Sequence, residues 1–90
     1  MNYYVYILRS LKNGSYYKGQ TSDINQRLLE HNSGITPSTK RYMPWELVWF
    51  TEVPTREDAL RLEQKLKNIT SRARLEDFIK RNTSDDATLR

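Results

Sequence analysis

The chain contains no cysteine, so it can build neither a disulfide framework nor a thiolate metal site, and nothing in it requires an oxidising compartment. No apolar run approaches the roughly 20 residues needed to cross a bilayer. The opening segment MNYYVYILRS has no basic leader before its apolar stretch and no small-residue cleavage site, which reads against a signal peptide. A cytoplasmic protein is the default expectation. Internal repeats and low-complexity tracts are also missing, which excludes solenoids and compositional linkers. The 90 residues suffice for one domain, and its core must be economical because so short a chain buries a modest share of its surface.

Charge and tyrosine are what the chain does have. Charged residues make up 29% and hydrophobic residues 37%, a balance that suits a folded soluble domain rather than a disordered one. A net charge of +4 with a pI of about 9.5 favours polyanionic partners mildly. Six tyrosines stand against two tryptophans and two phenylalanines, and Tyr3, Tyr4, Tyr6 and Tyr17 fall in the first strands predicted below.

The aromatic and β-branched run from Tyr3 predicts a strand to Arg9. Asn13-Gly14 predicts a hairpin, since both residues accept positive φ, and Ser15–Gln20 is the returning strand. Alternation places Tyr4, Tyr6 and Leu8 on one face of the first strand and Tyr3, Val5 and Ile7 on the other. Asp23, with Gln26 three residues on, caps a helix that Gly34 ends near Asn32 or Ser33, with Ile24, Leu28 and Leu29 as its buried stripe. Residues Ile35–Trp45 read as a polar loop, and Leu47–Phe50 as a buried third strand. Pro54-Thr55 opens a second helix with Asp58 answering the cap, and Ala59, Leu62, Leu66 and Ile69 form its stripe. Ser71 caps a third helix with Leu75, Phe78 and Ile79 inward. The order ββαβαα predicts an α+β domain over residues 1–81, a small three-stranded antiparallel sheet flanked by helices. Residues 82–90 read as a polar tail.

Several polar residues sit where they can converge. Arg27 and His31 lie four apart on one helix face. Glu63 flanks the core stripe of the second helix. Tyr6 and Tyr17 occupy paired strands. Each alone has an ordinary explanation: strand tyrosines with wet hydroxyls, a solvated arginine, a histidine favouring a helix C-terminus, and an exposed Glu63–Lys67 pair. Order and spacing together make the case for a site, expected as one solvent-open cleft.

Val5-Tyr6-Ile7 and Tyr17-Lys18-Gly19, separated by a hairpin, resemble the two halves of the GIY-YIG signature. Thr21–Gly34 (TSDINQRLLEHNSG) resembles the family's first helix, with Arg27 at the arginine position and His31 one turn on. Ala59–Lys67 is similar to the helix that carries the metal-binding glutamate, here Glu63. The resemblance runs from about Tyr3 to Lys80 and is strongest to small stand-alone bacterial members of this nuclease superfamily. The sequence departs from the pattern at four places. The first tripeptide is Val5-Tyr6-Ile7, not Gly-Ile-Tyr in strict form, though only the tyrosine carries chemistry. Lys18 stands where isoleucine is usual, Gln20 stands where some members place a lysine, and only Asn68 and Asn82 offer themselves for an asparagine that some members carry after the glutamate.

The resemblance implies a metal-dependent endonuclease acting on a nucleic acid, DNA in the first instance, with no small-molecule cofactor and no membrane partner. Glu63 would hold one Mg²⁺ or Mn²⁺, Arg27 would grip a phosphate oxygen, and Tyr17 would position phosphate or water. Tyr6 would act as general base and pass its proton to His31. The ordinary tyrosine pKa of about 10 means that the metal and Arg27 must lower Tyr6 for this role, and His31 acting directly is the alternative. Lys18, Lys40, Arg41 and Lys67 are expected at the nucleic-acid backbone. Trp45 is a candidate for base stacking, whereas Trp49 reads as core. The rival functions are a nucleic-acid-binding module without strong cleavage and a protein adaptor that docks an acidic partner through the 35–45 loop.

Overall fold

A computed structural model describes residues 2–83. The elements run β1 (Tyr3–Ser10), β2 (Tyr16–Thr21), α1 (Ile24–Ser33), α2 (Pro37–Lys40), β3 (Trp45–Val53), α3 (Arg56–Lys67) and α4 (Arg72–Asn82). The three strands make one antiparallel sheet in the order β2-β1-β3. The fold is α+β, as the element order predicts.

The central strand β1 is covered on both faces, so Val5, Tyr6, Ile7 and Leu8 are all buried. Val5, Ile7 and Trp49 pack with Ala59 and Leu66 of α3 and Leu75 of α4. On the opposite face Tyr6, Leu8 and Trp45 pack with Ile24 and Leu28 of α1 and with Tyr42 and Met43. The alternation of β1 therefore distributes its side chains between two helical layers.

The helices start where their caps place them. The side chains of Asp23, Thr55 and Ser71 accept from the backbone N–H of Gln26, Asp58 and Arg74, which satisfies donors that have no partner within the helix. Gly34 ends α1 at φ 83°, the left-handed conformation in which a side chain is strained.

Four local expectations change. Leu29, expected in the buried stripe of α1, is exposed. Only Gly14 of the Asn13-Gly14 pair takes positive φ, because the connection is longer than two residues. The Ser10 hydroxyl oxygen accepts from the N–H groups of Lys12 and Asn13, and the Ser10 backbone bonds Gly14 and Ser15. The 35–45 loop contains the one-turn helix α2. Finally, β3 extends to nine residues, since its polar ends also pair with β1. A bulge opposite Ile7 and Leu8 leaves Val48 without a register partner, and both Val48 and Trp49 serve the α3/α4 core. Helix α4 continues through Asn82, whose carbonyl accepts from the Trp49 indole. The rest of the expected tail, residues 84–90, lies outside the described residues. Among the described residues no helix is long and apolar enough to cross a membrane.

Candidate active site

Tyr6 projects from β1 onto the α1 face and lies across Gly19, its register partner in the edge strand β2. A Cβ on Gly19 would stand 2.6 Å from the Tyr6 hydroxyl and 2.8 Å from Cζ. Glycine is required at this position for space, not for its backbone angle. The absent side chain lets the phenol pass over the outer strand.

Helix α1 brings Arg27 and His31 to the same phenol. His31 Nε2 lies 3.0 Å from the Tyr6 oxygen, and Nδ1 lies 2.9 Å from Thr39 Oγ1. Tyr6 is 2% exposed and His31 0%. The Tyr17 ring packs on this pair, with centroids 4.9 Å from His31 and 6.4 Å from Tyr6. Arg27 approaches the Tyr6 oxygen, and that hydrogen-bonding approach is the largest cause holding its own pKa above the ordinary value. Its second partner is Glu30 at 2.9 Å.

Burial dominates the electrostatics of the inner pair. It pushes Tyr6 up to about 12, outweighing the lowering by Arg27, so the resting phenol keeps its proton at neutral pH. Arg27 lowers Tyr6 as the sequence expectation has it, but for the protein by itself burial outweighs that effect. Burial first, and Arg27 second, hold His31 below its ordinary value, which leaves a neutral imidazole against the phenol. The expected solvent-open cleft is likewise corrected, because its inner end is sealed. Tyr17 and Arg27 form its half-exposed outer part, the Arg27 side chain being 34% exposed.

Glu63 approaches from the other helical layer. Helix α3 packs along β2 and β1, and the Glu63 charge is the smallest of the causes that raise Tyr6. Its side chain is 17% exposed and pairs with Lys67 at 3.2 Å. Among the described residues no group of three or more histidine, aspartate or glutamate side chains could form an all-protein metal cage. A lone, accessible carboxylate fits only a hard cation that keeps most of its ligands as water and substrate oxygen.

The basic residues separate. Lys40 and Arg41 are exposed and line a concavity with Lys12, Pro37 and Met43. Lys67 is committed to Glu63. Lys18 faces the α3/α4 layer, where its ammonium donates to the Ile69 carbonyl at 2.9 Å. Trp45, expected as a possible stacking surface, is 5% exposed and packed in the core.

Residues 2–84 match the family described as the GIY-YIG catalytic domain. The chain belongs to the GIY-YIG family. It is 40% identical over 73 residues to the UPF0213 protein BH0048 of Halalkalibacterium halodurans, covering 80% of this chain and 77% of that one. A UPF0213 protein of Staphylococcus epidermidis is 35% identical over 74 residues, covering 81% of this chain and 89% of its own. The solution NMR structure of the BH0048 protein superimposes with a TM-score of 0.59 at 36% identity, covering 94% of this chain and 89% of that chain.

The structure brings to this region residues that the sequence did not single out. Thr39 is 1% exposed and holds His31 from behind. The Asn32 side chain accepts from the Trp45 N–H at 2.6 Å and donates to the Trp45 carbonyl at 3.0 Å, tying the end of α1 to the start of β3. Neither had a signal beyond being polar. Asn68 and Asn82 both serve helix ends. Asn68 closes α3, and the Asn82 side chain donates to the Phe78 carbonyl.

Proposed function

We propose that the chain is an endonuclease that hydrolyses a phosphodiester bond of a nucleic acid, DNA in the first instance, with one bound Mg²⁺ or Mn²⁺. One observation carries the reading: a buried phenol has its oxygen 3.0 Å from a neutral imidazole, with the Arg27 guanidinium acting on the same phenol. This arrangement supports proton transfer beside a phosphate clamp. Simple adhesion to a polyanion needs neither the imidazole nor the burial.

Glu63 would hold the metal, which when bound supplies charge neutralisation at the scissile phosphate and the departing 3′ oxygen. Arg27 would leave the Tyr6 oxygen for a non-bridging phosphate oxygen, a better-matched acceptor for its fork, and so open the phenol to water. Tyr6 then takes a proton from the attacking water as its own proton passes to His31 Nε2. The water oxygen bonds to phosphorus, the P–O3′ bond breaks, and the departing oxygen takes a proton from solvent. His31 returns its proton to Tyr6, which releases one to solvent. Because Tyr6 gives up one proton as it gains another, a phenol with a high resting pKa can serve. A direct base role for His31 is less well supported, since both ring nitrogens are occupied and no face of the ring is exposed. Tyr17 orients the incoming group from the outer side. Lys40 and Arg41 hold the backbone without reading sequence.

The Glu63–Lys67 pair and the sealed phenol favour one second reading, a binding module that does not cut. A cleavage panel distinguishes the two, using single-stranded, duplex, nicked, flapped and branched DNA and RNA, each with Mg²⁺, Mn²⁺ or chelator. Metal-dependent scission of at least one substrate supports the nuclease. Binding without scission across the whole panel supports the module.

A further inference from the structure

We infer that Thr39 is a positioning residue that fixes the tautomer of His31, keeping Nε2 unprotonated so that it can accept the Tyr6 proton. The inference deepens the nuclease reading and rests on it for its catalytic meaning. The tautomer itself follows from the hydrogen bonding.

At one end of the ring, Thr39 Oγ1 lies 2.9 Å from Nδ1 and 3.3 Å from the Thr36 carbonyl. A carbonyl can only accept, and a hydroxyl has one proton to give. The Thr36 carbonyl also accepts from the N–H groups of Thr39 and Lys40; with the hydroxyl proton directed to it as well, the Thr39 oxygen accepts towards the ring and Nδ1 carries hydrogen. At the other end, the Tyr6 hydroxyl is approached by His31 Nε2 and by Arg27. Arginine has no acceptor, so Nε2 is the acceptor left for the phenolic proton. Both ends fit the same tautomer, Nδ1–H. The opposite one would set the Nε2 proton against the phenol, which would then have donors on both sides and no acceptor for its own hydrogen.

Thr39 is built into the fold. It is 1% exposed, and its carbonyl accepts from the Trp45 indole at 2.9 Å. Trp45 is in turn held at its backbone by Asn32, one residue after His31. The one-turn helix α2 thus delivers a hydroxyl to a closed position behind the imidazole. Valine has nearly the same shape and no hydroxyl. In Thr39→Val, a proton on Nδ1 would face an apolar wall. The ring then favours the Nε2–H form, which donates to Tyr6 and cannot relieve it of a proton.

The chain has one histidine, so long-range ¹H–¹⁵N correlation of the imidazole reads the tautomer without assignment ambiguity. Wild type and Thr39→Ser are expected in the Nδ1–H form, and Thr39→Val in the Nε2–H form. Thr39→Ala is the second variant should the valine protein not fold, with the same expected shift. In single-turnover cleavage at saturating protein, Thr39→Val should lose on the order of 10²- to 10⁴-fold, the scale on which a wrong imidazole tautomer slows other enzymes. Thr39→Ser should restore the rate, and substrate binding should be unchanged throughout. A wild-type imidazole in the Nε2–H form overturns the inference, as does a folded Thr39→Val or Thr39→Ala protein that keeps Nδ1–H. If wild type shows the Nδ1–H form and no protein cuts any substrate, the tautomer stands and the nuclease reading fails.

Discussion

Replacing Gly19 with alanine perturbs the one contact that sets where the Tyr6 oxygen lies. The new methyl would stand 2.6 Å from that oxygen and 2.8 Å from Cζ, whereas relaxed contacts lie at about 3.5–4.0 Å. One side must therefore move by roughly 1 Å. The β2 backbone is tied to β1 along the ladder, so the ring is the side that yields, against Tyr17 and His31 packed around it. A shift of that size carries the 3.0 Å bond to His31 out of hydrogen-bonding range. Overpacking costs about 1–3 kcal/mol, and a buried donor left without its acceptor costs about 1–3 kcal/mol more. Alanine recovers only about 0.5–1 kcal/mol by stiffening the strand. The net loss should be about 2–4 kcal/mol, lowering Tm by roughly 10–30 °C for a domain of this size. Denaturant melts give the stability, and single-turnover cleavage should fall with it at saturating protein under conditions where the variant remains folded. A Gly19→Ala protein with wild-type Tm, an intact Tyr6–His31 bond and an unchanged rate would refute the steric reasoning.

Other expectations follow from the same geometry. Arg27→Ala should slow cleavage on the order of 10²-fold or more while binding in Ca²⁺ changes little, because a clamp strengthens as charge shifts on the phosphate. Lys40→Ala should instead weaken binding and reduce the salt slope by about one unit; the reverse pattern would exchange their roles. The fold's resistance to pH should decline at both ends. Below about pH 6.5 the unfolded chain binds a proton that buried His31 refuses, so stability falls as pH drops, by up to about 1.4 kcal/mol per unit, and His31→Gln should remove that slope. Above pH 10, unfolded tyrosine ionises while Tyr6 holds its proton to about 12, so stability falls through that interval by roughly 3 kcal/mol, and Tyr6→Phe should flatten the loss. Asn32→Ala should lower stability by about 1–3 kcal/mol, measured by urea melts, because it strands the Trp45 backbone groups.

Much of the fold was legible because its signals are local. The caps at Asp23, Thr55 and Ser71 and the stop at Gly34 each act within a turn of helix, and alternation in β1 divided the two cores correctly. Helix α2 was not legible, since one turn carries no apolar period and is fixed by Trp45 and His31 from elsewhere in the chain. The reach of β3 was understated for a similar reason, because its polar ends become strand only by pairing with β1. Of the five candidate residues, Tyr6, Tyr17, Arg27 and His31 gather around one phenol, and Glu63 stands on α3, the helix that packs along β2 and β1. Burial that reverses the expected shift of Tyr6 depends on packing, and no spacing rule carries it. The placement of Lys18 was available from parity. It pairs with Ile7, so it faces α3 while Tyr17 and Gly19 face α1.

The most direct measurement is single-turnover cleavage by wild type and Glu63→Ala in Mg²⁺, Mn²⁺ and chelator, on whichever substrate of the panel wild type cuts. Circular dichroism establishes that both are folded, and binding is measured separately in Ca²⁺. Wild type should cut only with Mg²⁺ or Mn²⁺, and Glu63→Ala should bind without cutting. Undiminished cleavage by a folded Glu63→Ala protein, or full wild-type activity in chelator, would contradict a metal-dependent site built on Glu63.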